Sequence, residues 1–151
     1  MSEQPPLLRV CSLLNEHGAL YLIVGARAAI LHGLDRTTQD VDILIPEDLE
    51  NHARVLAALS EMEDHAAAEL TPQDLVENVV VKIADEVEVD VSTRAWKISY
   101  ADAIPTAVRV TINGVTIHFV DLPILIESKR TYRDQDRIDV AQLVALLERR
   151  R

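Results

Sequence analysis

Apolar and polar positions along the chain divide it into short helices and strands. Leu7, Leu8, Val10, Cys11 and Leu14 recur at helical spacing, which predicts a helix from Pro6 to His17 with Gly18 as its stop. Ala19–Val24 is a continuous apolar run suited to a buried strand, and Gly25 breaks it. Ala26–His32 is alanine-rich and reads as a helix capped by Gly33. After a polar loop, Asp40–Ile45 reads as a strand ended by Pro46. Glu47–Met62 reads as a helix with Glu47 and Asp48 in its first turn, where the helix dipole favours acids.

Two alternating runs, Asn78–Ile83 and Val87–Val91, predict a hairpin across Ala84-Asp85-Glu86. Arg94–Ala103 is expected to be a short helix. Val108–Ile112 and Val115–Val120 flank Asn113-Gly114, a strong hairpin signal. Helical patterns close the chain at Pro123 to about Thr131 and at Arg133–Arg149. These helical patterns and six strands, with hairpins among them, predict an α+β fold with a mixed sheet flanked by helices.

The 151 residues suit one domain, read here as spanning 1–151, with apolar residues at 48% and charged ones at 26%. Aromatics are only 3%, so the core is expected to be Leu, Val, Ile and Ala. The one cysteine, Cys11, lies on an apolar stripe, which rules out a disulfide framework and reads as a buried core residue. No apolar run approaches ~18 residues, and Met1-Ser2-Glu3-Gln4-Pro5-Pro6 lacks the features of a signal peptide. The expectation is a soluble, cytoplasmic protein with no membrane contact.

Net charge is −10, and it is uneven. Residues 127–151 hold seven cations against five acids, a net of +2, which leaves −12 on residues 1–126. Such a body repels duplex nucleic acid, whose binding is dominated by phosphate contacts, so no long nucleic-acid footprint is expected. A small anion remains compatible with the cations of the tail.

Asp40 and Asp42 alternate with Val41, Ile43 and Ile45 on one predicted strand, so both carboxylates share a face. Paired carboxylates repel unless a cation sits between them, and a hard cation such as Mg²⁺ suits them. The alternative is a pair of solvated acids on an exposed strand. Gly25, at a strand-to-helix turn, is a candidate phosphate cradle, since glycine allows close approach and the helix start offers free N–H donors. In Val87–Val91, Glu88 and Asp90 face away from the valines. On a neighbouring strand Asp90 would make a third carboxylate, suited to two-metal phosphoryl transfer or to deprotonating an acceptor hydroxyl, with Glu88 as its rival.

This order of residues resembles the nucleotidyltransferase superfamily that includes DNA polymerase beta. The motifs are the apolar strand with Gly25, the helix ending His32-Gly33, Arg36-x-Thr38, Asp40-x-Asp42 and Val89-Asp90-Val91. Lys129-x3-Arg133-x2-Asp136-x2-Asp139-Val140-x2-Leu143 resembles the C-terminal helix motif of small AbiEii-like, toxin–antitoxin-associated members. The resemblance implies transfer of a nucleoside monophosphate from a nucleoside triphosphate (NTP) to a hydroxyl, with one or two Mg²⁺ ions. Asp40, Asp42 and Asp90 would hold metal and carry the catalysis. Gly25 would be the phosphate-loop glycine, Lys129 a phosphate contact and Asp136 a helper in the nucleotide pocket. The pattern departs at Ala26, where the family commonly has Ser or Gly: the hydroxyl is absent and the backbone N–H remains.

Arg27 and Arg36 flank the proposed site, as phosphate contacts or as structural or solvated cations. Thr38 is expected to stabilise the loop before the acid strand. Lys129 with Arg133, and Asp136 with Asp139, are spaced to share helix faces, alternatively as a surface salt-bridge network. The five histidines lack ligand spacing, Trp96 is expected in the core or at a rim, and Arg149-Arg150-Arg151 as a frayed end. Acceptors compatible with the charge are a tRNA end, a protein side chain or a small hydroxylated molecule. The second reading is a catalytically weak or inactive module that binds nucleotide or a protein partner, as one side of a toxin–antitoxin pair.

Overall fold

The computed structural model describes residues 4–150. Met1–Glu3, half of the segment read for a signal peptide, and Arg151 of the terminal basic run lie outside the described residues. The elements are α1 (Pro6–Glu16), β1 (Leu22–Val24), α2 (Gly25–Leu31), β2 (Val41–Leu44), α3 (Leu49–Leu59) and α4 (Pro72–Glu77). They continue with β3 (Val80–Ala84), β4 (Glu88–Ser92), α5 (Tyr100–Ala103), β5 (Val108–Ile112), β6 (Val115–Phe119), α6 (Leu122–Ser128) and α7 (Asp134–Arg149). Short 3-10 turns occur at Ala66–Glu69 and Ile104–Thr106.

One six-stranded sheet has the order β3-β4-β2-β1-β6-β5. It is mixed: β1 runs antiparallel to β2 and parallel to β6, and β2 runs parallel to β4. The β3–β4 and β5–β6 pairs are antiparallel hairpins. At the second, Asn113 and Gly114 both have positive φ, 49° and 80°, as a tight hairpin turn requires. The fold is therefore α+β, with the sheet flanked by helices.

Period-two burial sets the sheet's two faces. Val41, Ile43, Val89 and Val91 are buried, whereas Asp42, Glu88 and Asp90 point to the opposite side and are only half-buried. α1 packs on α3 and reaches β2 and β6, while α2 lies against β1, β2 and α6. The core is aliphatic, with Tyr21 and Phe119 as its buried aromatic rings, and Cys11 lies within it.

Several local readings change. The first strand is only three residues long, because the side chain of Asn51 from α3 takes the place of a neighbouring strand at Leu20. Its Oδ1 accepts from Leu20 N at 2.7 Å and its Nδ2 donates to Leu20 O at 2.9 Å. Asp48 is the cap of α3, its Oδ1 accepting from Glu50 N, so the helix starts later than Glu47. Arg94–Ala103 is not one helix: Ala95–Ile98 forms a tight turn, and a capping box of Ser99 and Asp102 starts α5 beyond it. α4 was not foreseen, although Thr71-Pro72 followed by Asp74 is a helix-start pattern. Asp74 accepts from both Thr71 N and Thr71 Oγ1. Among the described residues seven α-helices stand, one more than the six helical patterns read from the sequence, the addition being α4.

Candidate active site

The acids meet because β2 and β4 are parallel neighbours in a particular register. Asp42 lies opposite Asp90, and Val41 opposite Val89. Glu88, two residues before Asp90, thereby comes to the level of Asp40 at the entrance to β2. One carboxylate oxygen each from Asp40, Glu88 and Asp90 lies within 4.8 Å of the others. Asp42 sits beside this trio rather than in it, so Glu88, named only as a rival to Asp90, stands together with it.

Two observations give the cluster the character of a cation site. Asp90 Oδ1 is buried without a hydrogen-bond partner, which costs free energy unless a cation or proton meets it. Asp42 is the second. Burial, then the hydrogen bond and charge of Asp90, then the charge of Asp40, push its carboxyl up to about 7, with Lys129 pulling the other way. Hard oxygen donors with an unsatisfied buried oxygen fit Mg²⁺ well, and Asp40, Asp42, Glu88 and Asp90 supply them.

Gly25 is built against the same acids. Its φ is +65°, and a Cβ there would lie 2.1 Å from Asp42 Oδ2. No side chain fits in that space, so β1 can turn into α2 directly against the Asp42 carboxylate only with glycine. Ala26 follows in the first turn of α2 with no side-chain donor, leaving backbone N–H groups as what this turn offers an anion.

Cations frame the cluster unequally. Arg27 Nε donates to Asp40 O at 3.1 Å, and its guanidinium reaches Gln39 O at 3.4 Å, so it clamps the loop entering β2 while lying in the field of Asp40 and Asp42. Thr38 Oγ1 accepts from Asp40 N at 3.3 Å, the loop role expected of it. Arg36 pairs with Asp139 at 3.0 Å and points to α7. Lys82, unforeseen, lies opposite Asp90 on β3 with Nζ 3.7 Å from Glu88. Its signal was the β3–β4 hairpin register, which alternation alone does not fix.

Lys129 and Arg133 do not share a helix face. Lys129 caps the end of α6 and Arg133 the start of α7, because Arg130–Tyr132 breaks the helix between them. Both nevertheless reach Asp136, at 3.8 Å and 3.4 Å. Lys129 Nζ also donates to Asp139 Oδ2 at 3.0 Å, beside Arg36 and Gln135. Burial alone would raise Asp139, but the hydrogen bonds from Lys129 and Gln135 and the charge of Arg36 hold it below the usual carboxylate range. Asp136 and Asp139 are buried, so this network is not a surface one. The C-terminal end is not frayed at Arg150, whose guanidinium donates to His32 O at 3.0 Å. His32 in turn contacts Val120 O through Nε2, a structural role.

A cavity of about 670 Å³ opens beside the acids, lined among others by Arg27, Thr38, Asp40, Glu86 and Glu88. A second, about 270 Å³, is lined by Lys129, Arg130, Thr131, Arg137 and Val140. The first has the size of a small-molecule site. Residues 4–150 match the family described as nucleotidyl transferase of unknown function (DUF2204). The chain belongs to this nucleotidyl transferase family. No curated protein matches it. The family match agrees with the superfamily resemblance, whereas the closer likeness to AbiEii-like members rests on the sequence motifs alone. Among the described residues, no helix is long and apolar enough to cross a membrane.

Proposed function

We propose that this family member transfers a nucleoside monophosphate from an NTP to a hydroxyl acceptor, with Mg²⁺. The observation that carries the reading is the convergence on one sheet face: Gly25, whose turn has room for no Cβ, touches Asp42, and Asp42 lies opposite the unsatisfied Asp90. Asp40, Asp42 and Asp90 are the residues that would hold metal, with Glu88 joining Asp40 and Asp90 in the same cluster. Mg²⁺ bound there would offset the charge that develops on phosphoryl and pyrophosphate oxygens.

The remaining work falls to the chain. The N–H groups at Gly25 and Ala26 receive phosphate oxygens, and Arg27 keeps Asp40 in place. Lys129, linked to both the α7 acids and Asp42, supplies positive charge near the phosphates. Asp136 orients Lys129, and Arg36 holds Asp139 in place. Asp90 takes the acceptor hydroxyl's proton. The acceptor oxygen bonds the α-phosphorus, the α–β bridge breaks, and pyrophosphate leaves. A tRNA end, a protein side chain or a small hydroxylated molecule satisfies this scheme, because only the acceptor's tip enters. We place the activity in the cytoplasm, where NTPs and Mg²⁺ are abundant.

The second reading is a nucleotide-binding or partner-binding module with little turnover, as in a toxin–antitoxin pair. Two features favour it: the missing hydroxyl at Ala26, and the engagement of Lys129 and Arg36 by Asp139. A thermal-shift titration with ATP, GTP, CTP and UTP, each with and without Mg²⁺, tests binding. A Mg²⁺-dependent rise in Tm that Asp42→Asn abolishes is expected. A rise of equal size in Asp42→Asn would refute the role given to these acids. Pyrophosphate release then separates the two readings.

A further inference from the structure

Aromatic residues are scarce in this chain: one Trp, three Tyr and one Phe. Tyr21 and Phe119 are spent in the core. Trp96 and Tyr132, 36 positions apart, instead meet at the surface, edge to face, with ring centroids 5.5 Å apart and planes at 86°. An edge-to-face pair leaves much ring surface uncovered, and Trp96 remains 40% exposed and Tyr132 82%.

The backbone under Trp96 is unfavourable for a bulky residue. Ala95 and Ile98 exchange hydrogen bonds of 2.9 and 3.0 Å, so Trp96 and Lys97 form a two-residue turn. Trp96 has φ +60°, at the position where such a turn ordinarily takes glycine. A large side chain in that conformation carries strain, and strain of this kind gathers at ligand clamps.

Both rings follow closely in sequence on residues of the acid site. Trp96 lies in the segment that leaves β4 just after Asp90 and Ser92, and Tyr132 lies three residues after Lys129, whose charge acts on Asp42. Lys97 Nζ stands 5.8 Å from the Trp96 ring centroid, adding positive charge at the pair.

We propose that Trp96 and Tyr132 form the stacking platform for the nucleobase of the NTP. The proposal rests on the nucleotide reading above and adds where the base lies. Stacking is indifferent to base identity, so the platform confers affinity rather than base selection.

Trp96 is the chain's one tryptophan, so emission excited selectively at tryptophan reports on this position alone. The probes are the four NTPs and inorganic tripolyphosphate, each with Mg²⁺. NTPs are expected to change Trp96 emission and tripolyphosphate to leave it unchanged. Trp96→Gly removes the ring and suits the turn, so it keeps the fold. It should weaken NTP binding roughly 5- to 150-fold by calorimetry, the loss of one stacking partner, with tripolyphosphate affinity unchanged. Trp96→Phe should restore most of the affinity. Tyr132→Ala, on an exposed residue, keeps the fluorophore and should also weaken NTP binding selectively. If the pair merely clasps the segment after β4 to the α6–α7 connection, both variants lower Tm while the ratio of NTP to tripolyphosphate affinity stays fixed, and the proposal falls. If the native chain binds neither NTPs nor tripolyphosphate, the nucleotide reading falls and takes this one with it.

Discussion

At Gly25 two separate demands select one residue: a left-handed backbone and a carboxylate where a Cβ would stand. Gly25→Ala is expected to cost roughly 1–2 kcal/mol for the left-handed conformation alone, and more from displacing Asp42. Urea unfolding measures the first effect, and the thermal-shift titration should show Mg²⁺-dependent nucleotide binding lost. Asp42 adds a pH signature in metal-free protein. Its carboxyl is raised from 3.8 to about 7 by burial and by Asp90 and Asp40. Through that window the folded chain keeps a proton that the unfolded chain has released. This group's contribution is therefore most favourable below about pH 4 and falls as pH rises to about 7. Urea denaturation at a series of pH values should show that fall, and Asp42→Asn should flatten it. An identical slope in the variant would contradict the assignment. The Asp40/Asp42 face was legible from alternation, as was Gly25 as a special turn. The collision between Gly25 and Asp42 was not, because it depends on β1 lying antiparallel to β2.

Helix α7 buries acids where a helix ordinarily buries hydrocarbon. Asp136, Asp139 and Leu143 line its covered side, and Lys129 and Arg36 come from other elements to neutralise the two carboxylates. Removing one member of a buried pair leaves an uncompensated charge. Asp139→Ala leaves Lys129, only 11% exposed, with Asp136 at 3.8 Å as its remaining acid, and is expected to destabilise by about 2–3 kcal/mol. Arg36→Ala removes a cation that is one-third exposed and should cost below about 1 kcal/mol. Chemical denaturation of the two variants checks the order; equal costs would show that Asp139 is not anchored through Lys129. The motif spacing was visible in the sequence, but its geometry was not. Lys129 and Arg133 are four apart, yet Arg130–Tyr132 interrupts the helix, so the partners meet across a bend. The α4 start at Thr71-Pro72 with Asp74 was readable, since a capping box is local chemistry.

Across the whole molecule, charge separates the C-terminal segment from the rest. The −12 of residues 1–126 surrounds an acid site, while the +2 tail brings Lys129 to it. Clustered protein cations gain affinity for a duplex by neutralising its phosphates and releasing their counterions to solution, and this body offers the opposite sign. Fluorescence anisotropy with a short DNA or RNA duplex at low salt is expected to show no binding. Salt-sensitive micromolar binding would overturn the reading that only an acceptor's tip reaches the acids. The mixed sheet makes the arrangement possible: a parallel β2–β4 pair brings Asp42 beside Asp90, and an antiparallel β1 returns Gly25 to the same level.

By itself the sequence determined the local matters: which runs alternate, where Asn113-Gly114 turns, which acids share a face, and that a glycine ends the first strand. Those depend on neighbours a few positions apart, where periodicity and turn chemistry act directly. Only the tertiary structure decided which strands adjoin. It brought Glu88 to Asp40, Lys82 opposite Asp90, Asp139 to Lys129 and Arg36, and Trp96 to Tyr132. Register and packing between distant segments arise from the cooperative burial of the whole aliphatic core, and no short stretch of the chain encodes them.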